Sequence, residues 1–267
     1  MNMLVCVKQV PDTTEIKIDP VTNTLIRAGV PSILNPFDGY ALEAAARIKD
    51  VDPSAKIVVL SMGPEQAKSV LKESLAIAAD KAYLVSDRVF GGSDTLATSY
   101  TISESIKKVE ELEGKFDIIF CGKQAIDGDT AQVGPEIAEH LGLPQVTYSL
   151  EAEVNGDTVK VKKEVGEGVE VIAVRMPCLL TFTKPAWDLR YPTIKRKIAA
   201  NRAGIPTLTA ADLTAIDRTR AGLKGSPTKV KKTFVPQKKS GGVKIREETS
   251  EASAKRLFGL LNEAGII

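Results

Sequence analysis

The chain has 267 residues, enough for a sizeable core, and its 36 basic and 34 acidic residues leave a formal charge of +2. That near-balance gives a nucleic-acid role no electrostatic support, and no apolar run approaches the ~20 residues that span a membrane. Three cysteines without a CxxC spacing, a single histidine and no HExxH argue against a disulfide framework, a metal site and a His-based nucleophile.

The first predicted strand is Met3–Val7. Strand-like sequence so close to the start leaves no room for a signal or transit peptide, which points to a cytoplasmic protein. Glu15–Ile18 and Leu25–Arg27, split by Asp19–Thr24, read as a β-hairpin excursion. Asn35–Lys49 is predicted as a helix with Ala41, Leu42, Ala45 and Ile48 on one face. Strands at Lys56–Ser61, Ala82–Val85 and Asp117–Cys121 then alternate with helices at Glu65–Ala78 and Asp94–Leu112. Glu136–Leu141 reads as helix and Gln145–Tyr148 as strand. Short apolar runs joined by helices predict an α/β fold: a parallel sheet with helices on both faces.

Past residue 150 the texture changes. Ala152–Val154 and Thr158–Lys162 flank Asn155-Gly156-Asp157, a strong antiparallel hairpin signal, and Val169–Val174 and Cys178–Phe182 add strands. Beyond Thr183 the chain is rich in Pro, Lys and Arg until an amphipathic helix over Ser250–Ala264, with Ala254, Leu257, Leu260 and Leu261 at helical spacing. The expected organisation is a nucleotide-binding domain over 1–222, including the β extension, and a C-terminal arm with its helix over 223–267.

The loop 121–135, Cys-Gly-Lys-Gln-Ala-Ile-Asp-Gly-Asp-Thr-Ala-Gln-Val-Gly-Pro, joins a buried strand to a helix expected to start around Thr130. Free N–H groups at such a helix start form an anion site by geometry and dipole. Glycines let the backbone approach a ligand, and Lys123, Gln124, Thr130 and Gln132 offer polar side chains. A plain polar βα loop fits the same residues, since neither the P-loop spacing nor GxGxxG is present. Asp127 and Asp129 suit capping and loop-shaping better than catalysis. In an open parallel sheet, ligands lie beyond the carboxyl ends of the strands where strand order reverses. Val7–Asp12, Asn35–Asp38, Ser61–Pro64 and Gly91–Thr95 are expected to join the loop there as a nucleotide-sized cleft.

Gly122 to Gln132, Cys6–Asp12 and Asn35–Asp38, with Val161–Lys163, Glu170–Ile172 and Pro177–Thr181, resemble the electron transfer flavoprotein β subunit family from residue 3 to the C-terminus. Gly166, where that pattern prefers an acid, is one departure. The resemblance implies a Rossmann-like domain in an obligate heterodimer with an α subunit that carries FAD, and a C-terminal arm packed on that subunit. It implies nucleotide contacts from Cys6, Asn35, Pro36, Phe37, Asp38, Met62, and Gly122, Lys123, Gln124, Ala125, Ile126, Asp127, Gly128, Asp129, Thr130, Ala131, Gln132 and Val133. The occupant is AMP in simple carriers or a second FAD in electron-bifurcating members. Gly91–Ser99 resembles the bifurcating branch, and a second helix start with Asp94, Thr95 and Thr98 suits a whole FAD. That branch implies hydride from NADH, one electron to ferredoxin or flavodoxin, and one through the α-subunit FAD to an acyl-CoA dehydrogenase. Residues 184–203 resemble the family's dehydrogenase-recognition loop, with Arg190, Tyr191, Ile194, Lys195 and Arg196 as contacts. A regulatory or hydrolytic nucleotide-binding α/β domain is the alternative from another class.

Overall fold

The computed structural model describes residues 1–12, 31–231 and 241–267, in two compact units, Met1–Lys231 and Lys232–Ile267. The first unit opens with β1 (Asn2–Cys6), β2 (Gln9–Pro11), β3 (Ser32–Leu34) and α1 (Pro36–Val51). Then follow β4 (Lys56–Met62), α2 (Lys68–Ile77), β5 (Lys81–Val85), α3 (Thr95–Glu113), β6 (Ile118–Gly122) and α4 (Val133–Leu141). The chain continues through β7 (Gln145–Asn155), β8 (Thr158–Val165), β9 (Gly168–Arg175), β10 (Cys178–Phe182), α5 (Ile194–Arg202) and β11 (Thr207–Leu208). The second unit contains α6 (Ser250–Glu263).

One nine-stranded sheet runs in the order β11-β5-β4-β1-β6-β10-β7-β8-β9, parallel from β11 to β7 and antiparallel from β7 to β9. The central strands are buried on both faces, as their unbroken apolar sequences require. Met3 and Val5 face a core layer with Ala41, Leu42 and Ala45 of α1 and Val70 and Leu71 of α2. Leu4 points to the other layer, with Ile102, Ile106 and Val109 of α3 and Ile137 of α4. The expected α/β architecture is therefore present, including the antiparallel extension and the C-terminal helix.

Several details differ from expectation. β7 is one strand whose first half pairs with β10 and whose second half pairs with β8; Tyr148, at φ 56°, breaks it between the two roles. β10 lies inside the parallel sheet, between β6 and β7. Residues expected to form a recognition loop contain α5, capped by Thr193, whose side chain accepts from the Arg196 N–H. Only Ala200 of α5 is buried, so no apolar period announced it. The first compact unit extends past 222: Gly222 N–H donates to Ser93 Oγ at 3.1 Å and Asp94 N–H to Ser226 Oγ at 2.9 Å. The expected hairpin over Glu15–Arg27 lies outside the described residues, while the flanking β2 and β3 pair antiparallel.

At the amino edge of the sheet, Glu113 at the end of α3 gathers Lys81 at 2.8 Å, together with Lys56 and the Tyr83 hydroxyl. Desolvation pushes the Glu113 carboxyl up, but these three donors outweigh it and hold the group down at about 2. No described helix is long and apolar enough to cross a membrane.

Candidate functional site

Strand order reverses at β1: the chain leaves it towards β4 and β5, then returns to its other side as β6. The carboxyl ends of β1 and β6 therefore bound the crevice in which this sheet type holds ligands. Three sequence-distant segments are joined there. Asp38, buried in the first turn of α1, accepts from the Lys8 N–H at 2.7 Å and the Gly122 N–H at 3.2 Å. One carboxylate thus ties the ends of both switch strands to a helix start. Burial pushes the Asp38 carboxyl up to about 7, against the opposing pull of Asn35 and the two backbone donors.

Asn35 sits at the α1 N-cap position, yet its side chain makes no capping bond. It is fully buried and reaches across to the long loop instead. Its Nδ2 donates to the Gln124 carbonyl at 2.8 Å, and its Oδ1 accepts from the Ile126 N–H at 3.2 Å. Pro36 then begins the helix, and Phe37 packs edge-on against Tyr40. Lys8 closes the far side of the loop by donating to Asp127 Oδ1 at 2.6 Å, while Gln124 donates to Asp129 Oδ1 at 2.7 Å. Both aspartates thus bond to neighbouring side chains of the loop frame.

The loop's turn closes with the Gly128 and Asp129 N–H groups donating to the Ala125 carbonyl at 3.2 and 2.9 Å. Asp129 and Ala131 adopt left-handed φ values of 53° and 54°. Such conformations cost of order 1–3 kcal/mol each at non-glycine residues, and they recur at ligand sites. They also delay the helix: α4 begins at Val133, not near Thr130, because a left-handed residue cannot continue a right-handed turn. Gln132, at the N-cap position, makes no side-chain capping bond. Pro135 has no N–H to offer, so the open donors of this helix start are those of Val133 and Gly134.

A second helix start meets the first. Thr95, opening α3, donates through its hydroxyl to Gln132 Oε1 at 3.0 Å and lies 3.4 Å from Glu136 Oε1. The α3 start is partly closed by the chain itself. The Asp94 carboxylate accepts from the Ala97 N–H at 3.0 Å and the Thr228 N–H at 2.9 Å, while Thr98 and the exposed Thr130 have no such side-chain ties among the described residues. Lys123 is also partly engaged, its ammonium 5.0 Å above the Tyr148 ring.

Cys6 ends β1 beside Cys121 of β6, and the neighbouring Cys6 thiol, with burial, pushes the Cys121 thiol well up. Met62 ends the adjacent strand β4 and stands half-buried at the same sheet edge. Gly134 escaped sequence reasoning. A Cβ there would lie 2.7 Å from Thr181 Cγ2 and 3.4 Å from Cys121 Cβ, so glycine lets α4 start close over β6 and β10. The only sequence signal was its place in the Val-Gly-Pro end of the loop. Among the described residues, no group of three or more His, Cys, Asp or Glu side chains is placed to hold a metal ion.

The residues expected at a dehydrogenase contact lie elsewhere, beside the C-terminal ends of α1 and α2. Tyr191 and Ile194 are 93% and 80% exposed, and Lys195 is exposed. The Arg190 and Arg196 guanidiniums are engaged within the chain, with Glu43 and Asp50 and with the carbonyls ending α2.

The electron transfer flavoprotein domain family matches residues 22–213. The electron transfer flavoprotein subunit beta of Megasphaera elsdenii is 56% identical over 256 residues, covering 95% of this chain and 94% of that protein. The caffeyl-CoA reductase-Etf complex subunit CarD of Acetobacterium woodii is 47% identical over the full length of both chains. Protein FixA of Azorhizobium caulinodans is 42% identical, covering 97% of this chain and 92% of that protein. A crevice at the switch point, two converging helix starts and these full-length likenesses agree: the chain belongs to the electron transfer flavoprotein β-subunit family.

Proposed function

We propose that the switch-point crevice holds FAD, and that the chain works as the β subunit of an electron-bifurcating flavoprotein. The observation that carries this reading is the meeting of two helix starts, α4 without a side-chain cap and α3 joined to it through Thr95 and Gln132. Two adjacent positive dipole ends suit a diphosphate better than a single phosphate. Membership in the family implies an α-subunit partner, and the C-terminal unit, whose α6 buries none of its residues, is the arm that packs on it.

When bound, the isoalloxazine supplies hydride acceptance from NADH and delivery of single electrons, one to ferredoxin or flavodoxin and one through the α-subunit FAD to an acyl-CoA dehydrogenase. The side chains here bind and orient. Asp38 and Asn35 hold the loop frame, while Cys6, Pro36, Phe37 and Met62 border the nucleotide at the strand ends and the α1 start. Gly122 to Val133 would hold its adenosine and diphosphate, with Thr95 and Thr98 as further polar groups for the diphosphate. Tyr191, Ile194 and Lys195 contact the dehydrogenase. The name of the Acetobacterium woodii relative, a subunit of a caffeyl-CoA reductase-Etf complex, supports a redox partner that acts on a CoA ester.

One observation favours a second reading. The Asp94 carboxylate and N–H are engaged with Thr228 and Ser226, which narrows the α3 start and suits AMP in a single-flavin carrier. Anaerobic addition of NADH to the purified αβ heterodimer, with no other protein present, is expected to bleach the flavin absorbance. Bound flavin whose spectrum NADH leaves unchanged contradicts the NADH-oxidising reading.

A further inference from the structure

Residues 187–202 form a ledge fixed to the body of the protein at two points. Trp187 packs edge-on against Tyr40 and lies 4.6 Å under the Arg47 guanidinium, so the segment begins against α1. Arg190 then makes a fork on Glu43, with Nε to Oε2 at 2.7 Å and Nη2 to Oε1 at 3.0 Å, while its backbone N–H donates to Oε2 at 3.2 Å. The same guanidinium reaches Asp50 at 2.7 and 3.2 Å. Glu43 is buried, and Arg47 donates to it at 3.2 Å.

The second point is Arg196. Its guanidinium donates to the carbonyls of Leu75 and Ala79 at 2.9 Å and of Ala76 at 3.2 Å, satisfying the orphan acceptors that end α2. Lys72 returns the tie by donating to the Asn201 carbonyl at 3.2 Å. Between the two arginines the chain bulges outward at Tyr191, Pro192, Thr193, Ile194 and Lys195. A cavity of about 450 Å³ lies beneath, lined by Lys49, Asp50, Ile77 and Tyr191 among others.

A buried ion pair is a weak net source of stability, because desolvation offsets its attraction, but a bidentate fork fixes geometry closely. A five-residue bulge with exposed apolar tips would otherwise sample many conformations, and ordering it on binding would weaken association. We propose that Arg190 and Arg196 are positioning residues that hold the Tyr191–Lys195 bulge in its docking conformation and do not themselves touch the partner. This rests on the reading of the bulge as the dehydrogenase-docking element. The contact surface is then Tyr191, Ile194 and Ile198 with Lys195 and Lys197 at its rim, all exposed. Its complement is a protein face with an apolar socket bordered by carboxylates.

The test uses the purified αβ heterodimer with Arg190→Met, Arg196→Met and, to avoid stranding a buried carboxylate, the double variant Glu43→Gln/Arg190→Met. Backbone hydrogen exchange over residues 188–195 is expected to accelerate about tenfold or more, as local opening of the ledge becomes easier. With a purified acyl-CoA dehydrogenase as acceptor, the KM for that protein is expected to rise about fivefold while kcat stays within about twofold. Raising salt should weaken the wild type and these variants in parallel, because a charge at the contact would change the slope and a positioning charge does not. Arg190→Lys should retain part of the exchange protection that Arg190→Met loses. Unchanged exchange in all three variants overturns the clamp, as does an altered salt slope. Faster exchange with a wild-type KM, while Ile194→Ala raises that KM, also overturns the positioning role. A wild-type KM in Ile194→Ala instead refutes the docking reading itself, and the proposal falls with it.

Discussion

Gly122→Ala is expected to cost about 3 kcal/mol of stability and to empty the nucleotide crevice, the largest effect of any single methyl group in this site. A Cβ at this position would lie 2.3 Å from Asp38 Oδ1, 2.7 Å from the Asp38 nitrogen and 2.7 Å from the Phe37 carbonyl carbon. Two of those atoms are backbone, so no side-chain rotation relieves the clash. The first turn of α1 cannot withdraw freely, because the Asn35 N–H donates to the Lys8 carbonyl at 3.0 Å and Asp38 is held by Lys8. The strand end and the helix start must separate, and the loop that Asn35 suspends moves with them. Gly128→Ala is the natural control, since a Cβ there meets nothing within 4 Å. Urea midpoints and the nucleotide content of the purified heterodimer report both variants. Wild-type values for Gly122→Ala would show that the strand and helix ends are not in close contact.

Asp38→Asn is the second large effect, and its size depends on pH. An amide accepts through only one of its two ends, so either the Lys8 N–H or the Gly122 N–H faces an NH₂ donor. Leaving a buried donor unpaired costs about 1–3 kcal/mol. The wild-type carboxyl is raised from 3.8 to about 7 by burial. Between those values the folded chain holds a proton that the unfolded chain has lost. The stabilisation from this group is therefore fully present below about 4 and is lost as pH rises through about 7. The deficit of Asp38→Asn relative to wild type is thus expected to be larger at pH 5 than at pH 8. Chemical denaturation at the two pH values checks it; an equal deficit at both means that Asp38 does not titrate in this window.

The sheet was legible from sequence because its central strands are buried on both faces, and such strands write themselves as unbroken apolar runs like Ile57–Leu60 and Ile118–Cys121. The amphipathic stripe of α1 was legible for a related reason, since one face must be apolar. The short helix α5 was not. It packs on α2 through little more than Ala200 and is held by Arg196 and Lys72, polar ties that leave no period in the sequence.

The site divides in the same way. The long loop announced itself through glycines and polar residues, but its left-handed backbone lies at Asp129 and Ala131, which no glycine marks. Asn35 stands at a helix N-cap position, yet its side chain is a buried tether to Gln124 and Ile126. Which partner a buried polar side chain chooses depends on loops 90 residues away, and no local pattern records it. Asp94 was read as a ligand contact, and the chain's own residues Ser226 and Thr228 occupy it, because the segment after 217 folds back onto the α3 start.

The central claim is that two converging helix starts hold the diphosphate of a complete FAD. Its most direct test is the cofactor content of the αβ heterodimer, measured as released flavin and released adenine nucleotide per dimer. The account predicts two FAD and no AMP. One FAD with one AMP would contradict it and make this chain the structural, AMP-holding subunit of a single-flavin electron carrier.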